Sequence, residues 1–177
     1  MKLTWFGSTT LRVHIGGKIL VVDSDRAPTG VDRAELRAGA DRALNLAGGE
    51  LHQIEAKSWR PPVVRPLGEA QDLQVLSLGP STLLVWAPGE PPLLVANVAE
   101  LPHLGRWAGD AVFVLFGERG AQLAEMLQAL EPGRPKVLAL AANEATLDEL
   151  FEKLAALDDA ANGLRIVALE PGLALEV

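Results

Sequence analysis

The feature that most constrains the fold is a pair of nearly uninterrupted apolar runs in the C-terminal half, AVFVLF at residues 111–116 and KVLALA at 136–141. Neither run alternates with polar residues, which is typical of strands that are covered on both faces. Each run is followed by apolar residues at helical spacing, which predicts helices over 120–130 and 146–157. We therefore predict a sheet with helices packed against it.

The sequence also indicates where the two helices begin or end and which face of each is buried. Thr146 and Glu149 have the spacing of a capping box, and Pro132-Gly133 is predicted to end the first helix. Apolar stripes predict the buried faces. These stripes are Leu123, Met126, Leu127 and Leu130 in the first helix, and Leu147, Leu150, Phe151 and Leu154 in the second.

The N-terminal stretch has the period-two pattern of half-buried strands, with Leu11, Val13 and Ile15 among polar neighbours. Gly16-Gly17 separates two such runs. Because glycine reaches positive φ without steric cost, this pair predicts a tight hairpin. The predicted strands are 2–6, 10–15 and 18–23.

The middle of the chain changes character. Residues 29–47 have helical spacing, with Thr29 as the predicted N-cap and Gly48-Gly49 as the stop. Residues 50–72 contain the proline-rich WRPPVVRP and are predicted to form an extended surface loop that Trp59 pins to the body. Further strands are predicted over 74–78, 82–87, 92–97, 164–169 and 173–177. No linker divides the chain, so we expect a single domain over 1–177.

Composition excludes several kinds of chemistry. The absence of cysteine excludes disulfides, cysteine-ligated zinc, iron–sulfur clusters and thiol nucleophiles, and three histidines cannot supply a histidine-rich binuclear metal site. A net charge of −7 argues against a nucleic-acid partner. No apolar run is long enough to span a bilayer, and no signal-peptide pattern is present. We expect no membrane partner and a cytoplasmic location.

Four segments, in this order, resemble the metallo-β-lactamase superfamily, in particular its small metal-dependent hydrolases. The opening LTWFGSTTLRVHIGGKILVVDSD resembles the first hairpins, which begin LTWLGHA and continue through GGK and ILIDP. LLVANVAELPHLGRWAGDAVFVLFG resembles the YAGDTG…DVALLPIGG segment, and KVLALAANEAT resembles the strand that normally ends in PMHYGT. The ending LRIVALEPGLALEV resembles the last hairpin, often written LEPGE. The middle of the chain is too short to align.

The resemblance implies an αββα sandwich, here truncated, with mixed sheets. It also implies a metal site at one edge, where an HxHxDH loop, later histidines and a bridging aspartate activate a hydroxide. This chain departs from that pattern: residues 24–72 lack HxHxDH, Ser8 and Ala141 replace histidines, and Asn97 lies at or beside the bridging aspartate. Only Asp23 keeps a carboxylate at a matched position. We infer that the family's zinc hydrolase mechanism is not available here.

Several residues remain as candidates for chemistry. The catalytic candidates are Asp23, His103 and Glu118, and the ligand-binding candidates are Ser8, Asp25 and Asn97. If their strand continues, Asp23 and Asp25 share a face as a cation site or carboxylate pair; otherwise they are solvated residues of a turn. His103 is either a remnant ligand or proton carrier, or an exposed loop residue. Glu118 follows a buried strand and is either a site residue or an ordinary helix start.

Aromatic and histidine side chains allow similar alternatives. Trp59, Trp86 and Trp107 either line a ligand groove or fill the edge of the core. His14 alternates with apolar residues in a strand, where we expect a structural role. His52 lies in the loop and carries little functional signal.

The preferred hypothesis is a non-catalytic domain that acts as a binding or scaffolding module, with no metal and no cofactor. Its partner is an unknown small molecule or protein, and a homodimer is a further hypothesis. The alternative is a metal-dependent hydrolase with a relocated site, which requires Asp23, Asp25, Asn97, His103 and Glu118 to converge. A third hypothesis is a small-molecule carrier, which requires a cavity on the order of several hundred Å³ between the sheets.

Overall fold

The structure, a computed structural model, describes residues 1–48, 50–63, 72–128, 134–156 and 164–177. The strands are β1 Lys2–Gly7, β2 Thr10–Ile15, β3 Lys18–Val22, β4 Arg42–Leu44, β5 Gln74–Gly79, β6 Thr82–Trp86, β7 Leu93–Ala96, β8 Val112–Phe116, β9 Val137–Ala141, β10 Arg165–Ala168 and β11 Ala174–Glu176. The helices are α1 Arg33–Arg37, α2 Gly117–Gln128 and α3 Glu144–Ala156, and 3-10 turns lie at Ser24–Arg26 and Arg106–Asp110. None of the helices within these ranges has both the length and the apolar character needed to cross a membrane.

The strands form two mixed sheets. The first has the order β11-β1-β2-β3-β4, with antiparallel pairs except for the parallel pair β3–β4. The second has the order β10-β9-β8-β7-β6-β5, parallel from β10 to β7 and antiparallel from β7 to β5. Gly16 and Gly17 close the β2–β3 hairpin with φ values of 56° and 73°, which confirms the predicted tight turn.

The two sheets pack face to face around one apolar cluster. Leu20 of the first sheet and Val95 and Val114 of the second are among its fully buried members. The other face of the second sheet packs against α2 and α3, and the outer face of the first sheet packs against α1. The result is the predicted αββα sandwich with mixed sheets, thin on one side because α1 has only 5 residues.

Part of the second sheet is covered by loops. Trp107 is buried and its indole N–H donates to the carbonyl of Ala56 at 2.8 Å. The ring of Trp59 meets that of Trp107 edge to face, with centroids 5.2 Å apart. A bridge at Ser77 fastens the same loop to the edge of β5. Trp59 therefore pins the loop as predicted; residues 64–71 of that prediction lie outside the described residues.

The predicted helix over 29–47 is wrong in its second half. Only Arg33–Arg37 is helical, and Arg42–Leu44 forms a strand beside β3. Ala38 leaves the helical path with a ψ of 127°, and Gly39 follows with a left-handed φ of 69°. The N–H of Asp41 then donates to the carbonyl of Ile19 at 2.8 Å, which starts the pairing of β4 with β3.

The helix caps also differ from the predicted ones. Asp32, not Thr29, caps α1, and its carboxylate accepts backbone N–H groups of the first turn. The capping box of Thr146 and Glu149 is wrong as well, because α3 begins earlier. The side chain of Asn143 accepts the N–H of Thr146 at 2.9 Å.

The apolar stripes are only partly buried. Leu123 and Leu150 are buried under the second sheet, as predicted. Met126 and Phe151 are 49% and 40% exposed, so their predicted burial is wrong. The predicted stop at Pro132-Gly133 lies outside the described residues.

Candidate functional site

At one edge of the sandwich, the C-terminal ends of β1 and β3 lie near those of the parallel strands β7, β8 and β9. The Met1 ammonium lies 3.1 Å from Oε2 of Glu90, so β1 starts beside the turn that precedes β7. Because the strands of packed sheets run nearly aligned, their other ends meet at the opposite edge. We call this the strand-end edge; it carries Ser8, Asp23, Asn97, Glu118 and Ala141.

Asp23 is the buried carboxylate of this edge, with 5% of its surface exposed and a left-handed φ of 48°. Its Oδ2 accepts the hydroxyl of Thr9 at 2.5 Å, and its Oδ1 accepts the N–H of Leu46 at 2.8 Å. Nε of Arg26 lies 3.8 Å from Oδ2. The hydroxyl of Thr10 donates to the carbonyl of Asp23 at 2.9 Å. Asp23 therefore ties the β1–β2 turn and the segment after β4 to the end of β3.

Asp25 points to a different partner. β3 ends at Val22, and the chain then enters a 3-10 turn, so the two aspartates do not continue one strand. The side chain of Asp25 is 80% exposed and lies 2.7 Å from Nη2 of Arg37. Nε of Arg37 donates to the hydroxyl of Ser24 at 2.6 Å. The strand does not continue, so the alternative of a carboxylate pair on a shared face is not formed; Asp25 lies in a turn, as in the other alternative, whereas Asp23 is buried.

The other candidates differ in exposure and in the element that carries them. Ser8 is exposed with a φ of 48°, and its carbonyl accepts the indole N–H of Trp5 at 2.9 Å. Asn97 is half-buried just after β7. Glu118 is exposed in the first turn of α2, and His103 is exposed in the loop that leads from β7 back to the start of β8.

These residues do not fit a zinc centre. Zinc takes histidine, thiolate or carboxylate ligands, and a catalytic site needs three of them. At the matched positions this edge offers a hydroxyl at Ser8, an amide at Asn97 and a methyl at Ala141. Across the described ranges, no three His, Asp or Glu side chains are grouped so that they could hold a metal ion. The relocated metal site of the alternative hypothesis is therefore not formed by these side chains.

The interior offers little room for a carried ligand. Among the described residues, the space between the sheets is packed with buried side chains. A cavity of about 600 Å³ opens at the surface beside the β2–β3 turn, and one of about 620 Å³ lies beside α1. Neither is the pocket between the sheets that the carrier hypothesis requires.

Sequence reasoning missed Thr9 and Thr10, which hold Asp23. A signal for Thr10 exists in the hairpin register. The two-residue glycine turn places Ile15 opposite Lys18, and counting outward along both strands brings Thr10 opposite Asp23. This register indicates a contact between Thr10 and Asp23, whose backbone carbonyl accepts the hydroxyl; the carboxylate is held by Thr9, for which the register gives no signal.

Comparison with solved structures finds a similar fold in one metallo hydrolase. The chain is similar to the structure of Igni18, described as a novel metallo hydrolase from the hyperthermophilic archaeon Ignicoccus hospitalis KIN4/I. The TM-score is 0.52 and the sequence identity 14%, over 99% of this chain and 98% of that one. No protein-family model and no curated protein matches the chain. The likeness establishes a metallo-hydrolase-like fold.

Proposed function

We propose that this chain is a non-catalytic domain with a metallo-hydrolase-like fold, which acts as a binding or scaffolding module. The observation that carries the proposal is the environment of Asp23. Its two carboxylate oxygens accept the hydroxyl of Thr9 and the N–H of Leu46. These two bonds, together with burial, fix the carboxylate as a contact that joins the β1–β2 turn and the segment after β4.

The neighbouring positions support the same proposal. A metal-bound water becomes a nucleophile near neutral pH only when charged and imidazole ligands hold the ion tightly. The uncharged amide of Asn97 and the methyl of Ala141 supply neither charge nor an imidazole. Among the matched positions, Asp23 would be left as the one carboxylate for the ion.

The metal content of the purified protein tests this proposal. We expect the chain, purified without chelator and desalted, to retain far less than one zinc ion by mass spectrometry. The Asp23→Ala variant separates specific from adventitious zinc, because only a metal bound at the strand-end edge is lost with the carboxylate. Retention of one or more zinc ions by the parent chain, and their loss from Asp23→Ala, would contradict the proposal.

A homodimer is the scaffolding arrangement that we propose first. β4 and β11 are the outermost strands of the first sheet, and outermost strands present backbone groups that pair readily with another chain. Sedimentation velocity over a range of concentrations is the direct measurement. We expect a concentration-dependent shift to twice the monomer mass; a monomer at every concentration removes the dimer but leaves the metal-free proposal standing.

A further inference from the structure

β11 is an outermost strand of the first sheet, and one of its sides is open. It pairs with β1, and no strand of the described chain lies on its other side. The N–H of Val177 donates to the carbonyl of Met1, and the Met1 ammonium donates to the carbonyl of Val177, both at 3.0 Å. Since backbone groups alternate in direction along an antiparallel strand, those of Leu175 also point at β1. The N–H and carbonyl groups of Ala174 and Glu176 therefore point to the open side.

An exposed apolar side chain lies at the start of this strand. Leu173 immediately precedes β11 and is 58% exposed, and Ala174 and Glu176 are exposed as well. Residues 173–177 contain no proline, which would interrupt pairing with another strand. β4, at the other end of the same sheet, ends in Leu44, which is half-buried. Of the two outermost strands of this sheet, β11 is therefore the one at which pairing would cover an exposed leucine.

We propose that β11 pairs antiparallel with β11 of a second copy of the chain, so that the first sheets of the two copies form one continuous sheet. This inference rests on the homodimer proposed above and specifies its interface. The two-fold axis passes between the two Leu175 residues, and Ala174 lies opposite Glu176 of the second copy. Because both residues direct their backbone groups to the open side, each such pair exchanges two hydrogen bonds. The two symmetry-related pairs therefore use every backbone group that β11 directs outward.

Two neighbouring registers satisfy the strand less well. Placing Ala174 opposite itself brings Glu176 opposite Gly172. The N–H of Gly172 already donates to the carbonyl of Trp5 at 2.7 Å, so that pair lacks a donor. Placing Glu176 opposite itself brings two like charges face to face, which destabilises a cross-strand pair. In the proposed register, Glu176 faces the small Ala174 of the second copy and has Lys2 of its own copy beside it on β1.

Apolar side chains meet on the core-facing side of the same strand. Leu173, Leu175 and Val177 share one face, because side chains alternate along a strand. The two Leu175 residues meet on the axis, where the Cα atoms of a non-hydrogen-bonded pair lie about 4.5 Å apart. At each end, Leu173 lies opposite Val177 of the second copy. The pairing therefore covers the exposed Leu173 with an apolar side chain, which favours association in water.

Disulfide cross-linking tests the register, because the chain has no cysteine of its own. Leu173→Cys and Val177→Cys should form a disulfide-linked dimer when the two variants are mixed, since their thiols lie opposite each other. Each variant alone should cross-link far less, because identical positions lie several residues apart along the strands. The matched control is Ala43→Cys, in the middle of β4, which should not cross-link alone or in a mixture. Non-reducing gel electrophoresis after mild oxidation measures the linked fraction.

A charge introduced at the same strand tests the strength of the pairing. Leu173→Asp should weaken the dimer about tenfold or more, because each dimer then buries two carboxylates against apolar side chains. Met126→Asp is the matched control, since the side chain of Met126 is 49% exposed but lies on α2. It should leave the dimer affinity unchanged in sedimentation velocity.

Sedimentation velocity under reducing conditions separates two kinds of failure. A dimer that persists undiminished in Leu173→Asp, or one that cross-links through Ala43→Cys, would leave the homodimer in place and overturn its assignment to β11. A parent chain that stays monomeric at every concentration would overturn both.

Discussion

The two edges of the sandwich use their polar side chains differently. At the strand-end edge, Asp23 is buried and its carboxylate accepts hydrogen bonds from Thr9 and Leu46. At the opposite edge, Lys2 and His14 line an open cavity beside the β2–β3 turn. The same sandwich therefore has one edge whose polar groups are bonded within the fold and another edge whose polar groups are open to solvent.

The burial of Asp23 explains why its edge resists other uses. A buried carboxylate with two hydrogen bonds is already compensated for the loss of water, and its position is fixed by both donors. Exposed groups such as Lys2 keep their hydration. We therefore expect substitutions of buried polar groups to lower the free energy of unfolding more than substitutions of exposed ones.

Asp23→Ala should have the largest effect on stability. It removes the acceptor for Thr9 and Leu46 in a buried place, and we expect a loss of about 3 kcal/mol in the free energy of unfolding. Urea denaturation at neutral pH measures it. The matched control is Asp25→Ala, which removes an exposed ion pair with Arg37 and should cost about 0.5 kcal/mol or less. Equal losses of unfolding free energy in the two variants would show that burial does not increase the contribution of Asp23 to stability.

Arg12→Ala should have an intermediate effect, confined to α1. The guanidinium of Arg12 donates to the carbonyls of Leu36 and Ala38 at 2.6 and 2.9 Å, so it holds the end of α1 against β2. We expect a loss of about 1–2 kcal/mol and faster hydrogen exchange in α1 than in α2. The exposed Arg42→Ala variant is the control. If the hydrogen-exchange rate of α1 is the same in the variant and the parent, the apolar contacts of α1 are enough to keep it in place.

His14→Gln should alter the pH dependence of stability. Burial holds the folded-state pKa of His14 below its ordinary value of about 6.5, and the charges of Arg12 and Lys2 lower it further, so the unfolded chain binds the proton more readily. Stability contributed by neutral His14 is complete above about pH 6.5 and is lost as the pH falls through the folded-state pKa. The variant should therefore lose less stability than the parent between about pH 7 and 5 in urea titrations. Parallel curves for the two proteins would disprove the assignment.

Glu118→Gln and His103→Gln should have the smallest effects. Both side chains are exposed, and surface changes of this kind usually alter stability by no more than about 0.5 kcal/mol. Thermal denaturation of the two variants is a sufficient measurement. A larger loss of stability in either variant would show that its side chain makes a contact that stabilises the fold.

Local pattern predicted most of the strands because alternation and apolar runs depend on neighbouring residues alone. The same pattern failed at Arg42–Leu44, whose spacing continues a helix but which pairs with β3 through a non-local contact. It failed again at Met126 and Phe151, which continue the apolar spacing of their helices but are 49% and 40% exposed. The homodimer and the single domain stay predictions.

The site was harder to predict than the fold. The replacement of metal ligands by Ser8, Asn97 and Ala141 follows from the resemblance alone and stays a prediction. The partners of Asp23 could not be read in full, because Leu46 reaches it only when β4 lies beside β3. The charge around His14 likewise depends on the pairing of β1 with β2.

A crystal grown with zinc, with anomalous data collected at the zinc edge, shows directly whether the strand-end edge binds a metal. We expect no anomalous peak at the strand-end edge, with the carboxylate of Asp23 still bonded to Thr9 and Leu46. A zinc peak about 2.0–2.2 Å from a carboxylate oxygen of Asp23, with those two hydrogen bonds broken, would contradict this expectation.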